Sequence, residues 1–332
     1  MDFAFSSEQE LLRASARDYL GDRFPVDRVI SLAESETGWD PSVWKELADL
    51  GWLDPSLGLL EHAVLAEESA AALLPAPWFS TVALAWPLLD DTLRDGVAAG
   101  EYAVTVATGS DIAVDGDRLS GVATLVPDLG WATHALVTVA GDTYAVETSP
   151  DVVRMRSTMD KTRRLGDLVL SSTPARHIDG GAFDTRRALA LAACEAVGVT
   201  QRCLDLAADY TKKRQQFGRV IGTYQGVSHK VADIFVSLQL GRSLAYWAAW
   251  AASENDPQAD VAVAAAKAEA TEGAVLSAER AIQAHGGIGF TYEHVLHRYY
   301  KRAQWLEAFA GYGRFHRAVV AAAILDDTGA AA

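Results

Sequence analysis

The sequence predicts a mainly α-helical protein with a small β domain in its middle. Alanine- and leucine-rich segments broken by Gly or Pro occupy both ends of the chain, and short β-branched runs lie between them. Half of the 332 residues are apolar and 22% are charged, which is enough apolar material for buried cores. We therefore expect an N-terminal helical domain at 1–100, a small antiparallel β domain at 101–175 and a C-terminal four-helix bundle at 176–332.

The first hundred residues are predicted to form short helices. Ser7 and Glu10 stand three residues apart, which is the spacing of a capping box and predicts a helix start. Leucine- and alanine-rich segments at 41–50, 57–74 and 78–89 follow, separated by Gly or Pro. This pattern is typical of a small helical bundle.

The middle of the chain has strand-like patterning. The runs at 102–106 and 135–139 are rich in β-branched residues, and AspGlyAsp at 115–117 and GlyAsp at 141–142 are turn signals. These features predict the hairpins of a small antiparallel sheet.

Long alanine-rich segments make up the C-terminal part of the chain. They cover 185–212, 225–254, 257–285 and 292–325, with glycines at 222 and 286–289 between helices. Asp256 followed by Pro257 predicts the start of the third helix, because proline suits the first helical position. The pattern is that of a four-helix bundle.

Charge and cysteine content exclude several classes of protein. The formal net charge of −15 would repel a nucleic-acid backbone, so nucleic acid is not an expected partner. Cys194 and Cys203 form no CxxC pair and have no histidine cluster nearby, so neither disulfides nor a metal site are predicted. The N-terminus is acidic and no apolar run reaches the roughly 20 residues of a membrane span. We expect a soluble, cytoplasmic protein without a membrane partner.

One segment departs from the acidic character of the chain. Between residues 212 and 230 there is no carboxylate, and the basic residues are Lys212, Lys213, Arg214, Arg219 and Lys230. For Lys212 and Lys213 the simpler interpretation is the attraction of cations to the negative end of a helix. Arg214 precedes a PheGly turn and Gln225 opens the next helix, so a guanidinium, a turn and an amide could hold one phosphate or ribose.

A glycine-rich turn, QAHGGIGFT at 283–291, is the second candidate site. Its glycines would let a ligand approach backbone N–H groups, and Thr291 can cap the next helix. An ordinary turn between two helices explains the same pattern equally well. His285 by itself is more often a hydrogen-bonded core residue than a catalyst, and nothing here suggests a metal.

Together these segments resemble the acyl-CoA dehydrogenase family. The resemblance rests on YTKKRQQFGRVIGTYQ at 210–225, on the glycine-rich turn and on the opening MDFAFSSEQELLR at 1–13, and it covers the whole chain in domain order. It implies the three-domain fold predicted above, assembled into dimers or tetramers around FAD. It also implies oxidation of an acyl-CoA to a trans-2-enoyl thioester, with hydride transfer from Cβ to the flavin while a carboxylate removes the α-proton.

The resemblance assigns FAD contacts to two groups of residues. The residues that would contact the FAD of a neighbouring subunit are Arg214, Phe217, Gly218 and Gln225. The residues that would lie near its adenosine diphosphate portion are Gln283, His285, Gly286 and Gly287.

Three departures from the family pattern bear on the chemistry. The usual position of the catalytic glutamate falls on Ala310, and an alternative position in the first bundle helix falls on Ala188. Alanine cannot remove a proton. The β domain has TVATGSD at 105–111 and LVP at 125–127 where the family has ThrGluProxAlaGlySerAsp and TrpIleThr-like stretches, so the pocket for the isoalloxazine ring departs from the family pattern.

Two other carboxylates are weak candidates for the base. Glu307 precedes Ala310 by about one helical turn, and Glu195 follows Ala188 by about two turns on the same face. One turn displaces a carboxylate by roughly 5 Å, whereas a base must come within about 3 Å of its proton. A structural role is the simpler interpretation for both.

The chain is short for this family, and it resembles the smaller subunit of heterotetrameric acyl-CoA dehydrogenases of steroid catabolism, a branch of lipid metabolism. This predicts a flavoprotein subunit that completes an interfacial FAD site while a larger partner supplies the ring pocket and the base. The implied substrate is a steroid side-chain acyl-CoA. The alternatives are a homo-oligomeric dehydrogenase that uses Glu195 or Glu307, and a structural partner without a flavin role.

Overall fold

The computed structural model describes residues 5–108 and 111–329, and it confirms a mainly helical fold with a small β region. The chain forms two compact units. The first comprises Met1–Ile30, Gly58–Leu74 and Arg186–Ala332, and the second comprises Ser31–Leu57 and Pro75–Thr185. The division into three domains at residues 100 and 175 stays a prediction.

The elements follow one another in the predicted order of helices, strands and helices. The α-helices are α1 (Ser7–Arg23), α2 (Val26–Glu34), α3 (Ser42–Asp49), α4 (Leu59–Ala71), α5 (Asp91–Ala98), α6 (Thr185–Lys213), α7 (Gln225–Ser253), α8 (Ala259–His285), α9 (Leu296–Ala308) and α10 (Gly313–Gly329). The strands are β1 (Val104–Thr108), β2 (Ala113–Asp115), β3 (Arg118–Pro127), β4 (His134–Val139), β5 (Asp142–Glu147), β6 (Val153–Met155), β7 (Leu165–Pro174), β8 (Arg176–Ile178), β9 (Gln215–Gln216) and β10 (Arg219–Val220).

The capping box of α1 is formed by residues other than those predicted. The N-cap is Ser6, whose Oγ accepts the N–H of Gln9 at 3.1 Å. The Gln9 side chain in turn accepts the N–H of Ser6 at 3.1 Å. Ser6 and Gln9 have the same three-residue spacing as Ser7 and Glu10, so the sequence pattern did not determine which pair caps the helix.

Two predicted helices of the C-terminal part have different bounds. The segment 292–325 is not one helix, because α9 ends at Ala308 and α10 begins at Gly313. Ala310 and Gly311 have φ of +53° and +104°, which a right-handed helix cannot accommodate. The third bundle helix begins at Ala259 rather than at Pro257, because the Asp256 carboxylate accepts the N–H of Gln258 at 2.8 Å and forms a turn before the helix.

The second unit contains two four-stranded sheets, ordered β1-β4-β5-β8 and β2-β3-β7-β6. Most neighbouring strands are antiparallel as predicted, but β1 and β4 are parallel, with Val104 opposite His134. The chain leaves the first sheet after β1, forms β2 and β3 of the second sheet and returns in its original direction. The predicted helix at 78–89 is a π-helix at Phe79–Ala85 followed by a 3-10 turn at Trp86–Leu88.

Helix α4 is the central element of the first unit, since every residue from His62 to Ala70 is buried. The buried residues include two adjacent carboxylates. Arg17 of α1 donates two hydrogen bonds to Glu68, at 2.7 and 3.1 Å. The Tyr246 hydroxyl of α7 donates to Glu67 at 2.8 Å. Burial and the neighbouring Glu67 raise the pKa of Tyr246, so the hydroxyl keeps the proton that it donates.

Helix α6 approaches the same helix closely at Gly198. A Cβ added to Gly198 would lie 2.0 Å from the backbone oxygen of Glu67. Backbone atoms cannot yield as a flexible side chain can, so glycine is needed at this crossing.

We predict that Gly198→Ala lowers the free energy of unfolding by about 1–3 kcal/mol through overpacking of the α4–α6 contact. Gly21→Ala on α1 is the matched control, because a Cβ added there meets nothing within 4 Å. Alanine is the better helix former, so this control should be neutral or stabilising by up to about 1 kcal/mol. Urea unfolding followed by circular dichroism measures both. Equal stability of the two variants would contradict the prediction.

Candidate functional site

The segment after α6 folds into a short hairpin of β9 and β10 with Phe217 and Gly218 at its turn. Both turn residues have positive φ, +53° and +81°, as the tight hairpin turn requires. Glycine adopts this conformation freely, whereas phenylalanine does so at a cost. The Phe217 ring is nevertheless 92% exposed. A strained, exposed aromatic residue at a hairpin tip is a candidate ligand or partner contact.

The hairpin is fixed against the start of α7. The Arg219 guanidinium lies 4.0 Å from the centre of the Tyr224 ring, and the Tyr224 hydroxyl donates to the Gln216 oxygen at 3.2 Å. Gln225 is the first residue of α7, and its side chain is exposed. These contacts hold Gln225 beside the hairpin.

Four of the basic residues of this segment have exposed side chains, namely Lys212, Lys213, Arg214 and Arg219. The backbone of Arg214 is held, because its N–H donates to the Tyr210 oxygen at 2.9 Å and its oxygen accepts from Ile221 at 2.9 Å. Among the described residues, no carboxylate pairs with Arg214 or with Lys212 and Lys213. The two lysines lie in the last turn of α6, which agrees with the helix-end interpretation.

The glycines of the 283–291 turn fall into two kinds. A Cβ added to Gly286 or Gly287 would meet nothing within 4 Å, so these positions leave open space beside the backbone. A Cβ on Gly289 would lie 2.5 Å from the Ile282 oxygen, so Gly289 is required for packing. Thr291 does not cap α9 as predicted, because its hydroxyl donates to the Ile288 oxygen at 2.8 Å and α9 begins at Leu296.

His285 connects the two motif segments. Its ring stacks on Tyr210 with 4.3 Å between centroids and lies 4.5 Å from the ring of His294. Nδ1 donates to the Ala281 oxygen at 2.7 Å, and burial lowers the pKa of the ring. His285 is therefore a neutral packing residue in the free chain. Because Arg214 lies one turn beyond Tyr210, this stack brings the basic segment and the glycine turn to the same end of the bundle. Gln283 lies beside the turn with an exposed side chain, and its backbone oxygen accepts the N–H of Gly286.

Ala310, at the family's usual base position, lies exposed in the break between α9 and α10. Fully buried Lys267 of α8 holds this break, since Nζ donates to the backbone oxygens of Glu307 at 3.2 Å and Gly311 at 3.0 Å. Nε2 of His316 donates to the Ala310 oxygen at 3.1 Å. Burial lowers the pKa of Lys267 to about 8.

The two candidate replacement bases differ in environment. The Glu307 side chain is partly exposed at the end of α9, and burial followed by the charge of Glu272 raises the pKa of its carboxyl. Glu195 is buried within α6, as is Ala188 two turns earlier. Solvent access favours Glu307 over Glu195 as a proton acceptor.

The β segments that depart from the family pattern lie in the second unit. Thr105 of β1 donates through its hydroxyl to the Pro127 oxygen at 2.6 Å, which joins the two departing segments. Leu125 is 55% exposed and has a φ of +58°. Gly109 and Ser110 of the first segment, and residues 1–4 of the N-terminal match, lie outside the described residues.

Sequence reasoning missed the buried charges of the first unit. These are Glu67 and Glu68 of α4, Lys267 of α8, and the Arg187 guanidinium 3.0 Å from Nδ1 of His62. The adjacent GluGlu pair in the apolar run LAEESAA was an available signal, because such a pair is buried only with partners.

Over the described residues, no cluster of three or more His, Cys, Asp or Glu could hold a metal ion. No helix there is long and apolar enough to cross a membrane.

Comparison with known proteins establishes the family. Residues 180–325 match the family described as acyl-CoA dehydrogenase, C-terminal domain. The chain is 30% identical over 315 residues to acyl-CoA dehydrogenase IpdE2 of Mycolicibacterium smegmatis, covering 90% of this chain and 93% of that protein. The chain therefore belongs to the acyl-CoA dehydrogenase family, a family of oxidoreductases, and the resemblance read from its motifs is confirmed.

Two solved structures extend the similarity to the whole chain. A chain of a variant of the steroid ACAD Tcur3481-Tcur3483 superposes with a TM-score of 0.82 at 27% identity, covering 98% of this chain and 99% of that chain. A chain of the ChsE4-ChsE5 complex from Mycobacterium tuberculosis superposes with a TM-score of 0.85 at 23% identity, covering 98% and 99%. The predicted acyl-CoA dehydrogenase-like fold is confirmed.

We predict that Lys267→Met removes a pH dependence of stability between about pH 8 and pH 10. The native amine loses its proton near pH 8, whereas an unfolded lysine loses it near pH 10.4. In this window the unfolded state binds more protons, so the lysine makes the free energy of unfolding rise with pH. The neutral amine still has two N–H groups for its two carbonyl acceptors.

Urea unfolding of wild type and variant at pH 7, 8, 9 and 10 tests this prediction. The difference in unfolding free energy between wild type and Lys267→Met should grow in favour of wild type from pH 8 upward. Lys45→Met changes a lysine whose side chain is 62% exposed, so its difference from wild type should stay constant. A constant difference for Lys267→Met as well would contradict the assignment.

Proposed function

We propose that this chain is the smaller subunit of an FAD-dependent acyl-CoA dehydrogenase, and that it completes a flavin site at the interface with a larger partner chain. The proposal rests on one combination of features. The chain carries, at the ends of α6 and α8, the family residues that can bind an anion, but it has alanine at both positions where the family places its catalytic base. Bound FAD would supply the hydride acceptor for Cβ of the acyl group.

The donor set of this chain fits the diphosphate of FAD. The exposed side chains of Arg214 and Gln225 can donate hydrogen bonds, and no carboxylate between residues 212 and 230 would repel the phosphates. Gly286 and Gly287 leave space for a ligand beside the backbone. We assign binding of the cofactor to these four residues.

The remaining members of the site shape it. Phe217 would place its exposed ring against the cofactor or the partner chain, with Gly218 permitting the hairpin turn. His285 would hold the glycine turn in place through its stack on Tyr210, and Gln283 would bind at the rim of the turn. In this proposal the partner supplies the isoalloxazine pocket and the catalytic carboxylate.

The similar proteins support a partner and a substrate class. The ChsE4-ChsE5 complex contains two named components, and Tcur3481-Tcur3483 is described as a steroid ACAD. We therefore propose a hetero-oligomer, specifically a heterotetramer, that acts on the thioester of a steroid side chain.

A second candidate is a homo-oligomeric dehydrogenase with Glu307 as the base. The raised pKa of this carboxyl and its position one turn before Ala310 favour it. Glu195 is the weaker alternative for the same role, because its side chain is buried.

Flavin content distinguishes these functions. The chain is purified alone and after co-expression with a larger acyl-CoA dehydrogenase chain, and flavin absorbance and acyl-CoA-driven bleaching are measured for each. We expect little flavin in the chain alone, and about one flavin per pair of unlike chains with turnover in the complex. Full flavin occupancy and turnover in the chain alone would overturn the shared-site proposal.

Variants of the complex test this chain's share of the site. Arg214→Ala and Gln225→Ala should each lower flavin occupancy several-fold, because each removes a donor to the cofactor. Lys212→Ala is the matched control, since this lysine is assigned to the helix end and should leave occupancy unchanged. Unchanged flavin in all three would identify a structural partner without a flavin role. Loss of turnover at full occupancy in Glu307→Gln would support Glu307 as the base.

A further inference from the structure

A cavity of about 400 Å³ lies in the first unit, bounded by α1, α2, α4, α6 and α9. None of its lining residues belongs to the segments 210–225 or 283–291. Its apolar wall is formed by the buried side chains of Leu20, Phe24, Val29, Leu73 and Val295. A cavity of this size with a largely apolar wall is within the range of small-molecule sites.

The carboxylates that line the cavity already have partners. Both oxygens of Glu68 accept hydrogen bonds from Arg17, at 2.7 and 3.1 Å. Asp205 accepts from the side-chain amide of Gln201 at 2.8 Å. The charge of Glu68 is therefore paired with that of Arg17, whereas Asp205 has a neutral donor and keeps its own charge at the cavity wall.

Arg202 is the lining residue with donors to spare. It forms a side-chain hydrogen bond with Tyr299, and the Tyr299 hydroxyl donates its own proton to the Ala71 oxygen at 2.7 Å. The tyrosine oxygen therefore accepts from Arg202. A guanidinium has five N–H donors, and among the described residues no carboxylate pairs with Arg202, so most of its donors remain for a ligand.

We propose that this cavity binds an amphipathic monocarboxylate of the medium-chain fatty acid class. The carboxylate would bind to the Arg202 guanidinium, which matches it in planar two-point geometry. The alkyl chain would lie against Leu20, Phe24 and Val29, where burial removes it from water. This site is separate from the proposed flavin site and does not depend on it.

We test the proposal by calorimetric titration of the purified protein with sodium decanoate. The protein is used in whichever assembly it is isolated. Wild type should bind one decanoate per chain saturably. Arg202→Met should weaken binding at least tenfold, and Arg202→Lys should retain part of the affinity because the charge remains. Arg154→Met, at an exposed arginine of β6 in the second unit, is the matched control and should bind as wild type does.

A cavity-filling variant and two further probes complete the test. Gly21→Leu adds a side chain at the cavity wall, where a Cβ meets nothing within 4 Å, and should weaken decanoate binding without removing a native contact. Decanol and decylamine should bind more weakly than decanoate because they lack the negative charge.

Absence of saturable decanoate binding to wild type would overturn the proposal. Equal binding to Arg202→Met, or tighter binding of decylamine, would do the same. Thermal unfolding checks that the variants are folded. Flavin content should be the same in wild type and Arg202→Met, so failure of this site and failure of the shared flavin site are distinguishable.

Discussion

The adjacent buried carboxylates of α4 are the constraint on which the helical unit depends. A buried charge is tolerated only with partners, and loss of one partner of such a pair costs about 3–5 kcal/mol. Glu68 is satisfied by Arg17 of α1, and Glu67 by Tyr246 and Arg242 of α7. Helices distant in sequence must therefore converge on α4. Gly198 also lets α6 approach the backbone of α4 closely. The position of α4 is therefore determined both by the partners of its buried carboxylates and by close packing against α6.

This arrangement determines the positions of the residues that we propose to bind the cofactor. Helix α6 runs from its contact with α4 to its C-terminal turn, where Tyr210 stacks on His285 at the end of α8. The hairpin that carries Phe217 and the turn that carries Gly287 follow directly after these two helix ends. The proposed flavin site, which is built from loops, would thus rest on two long helices, and these helices restrict the positions that the loops can take.

A second buried charged residue, Lys267, holds the backbone around Ala310, the position at which the family usually carries its catalytic base. Lys267 donates to backbone oxygens on both sides of Ala310, and His316 donates to the oxygen of Ala310 itself. The break between α9 and α10 is therefore held in place although it carries no catalytic side chain.

The sequence by itself determined the fold class, the order of the elements and the family, because apolar periodicity and the two C-terminal motifs are local patterns. Which capping pair starts α1, the break at Ala310 and the parallel pairing of β1 with β4 were decided by the tertiary structure. Each of these depends on groups far apart in the chain or on competition between equivalent local patterns. The tertiary structure also decided which groups are the partners of the buried residues Glu67, Glu68 and Lys267. Hydrogen bonds between distant helices leave no periodic signal, since only packing brings their donors and acceptors together.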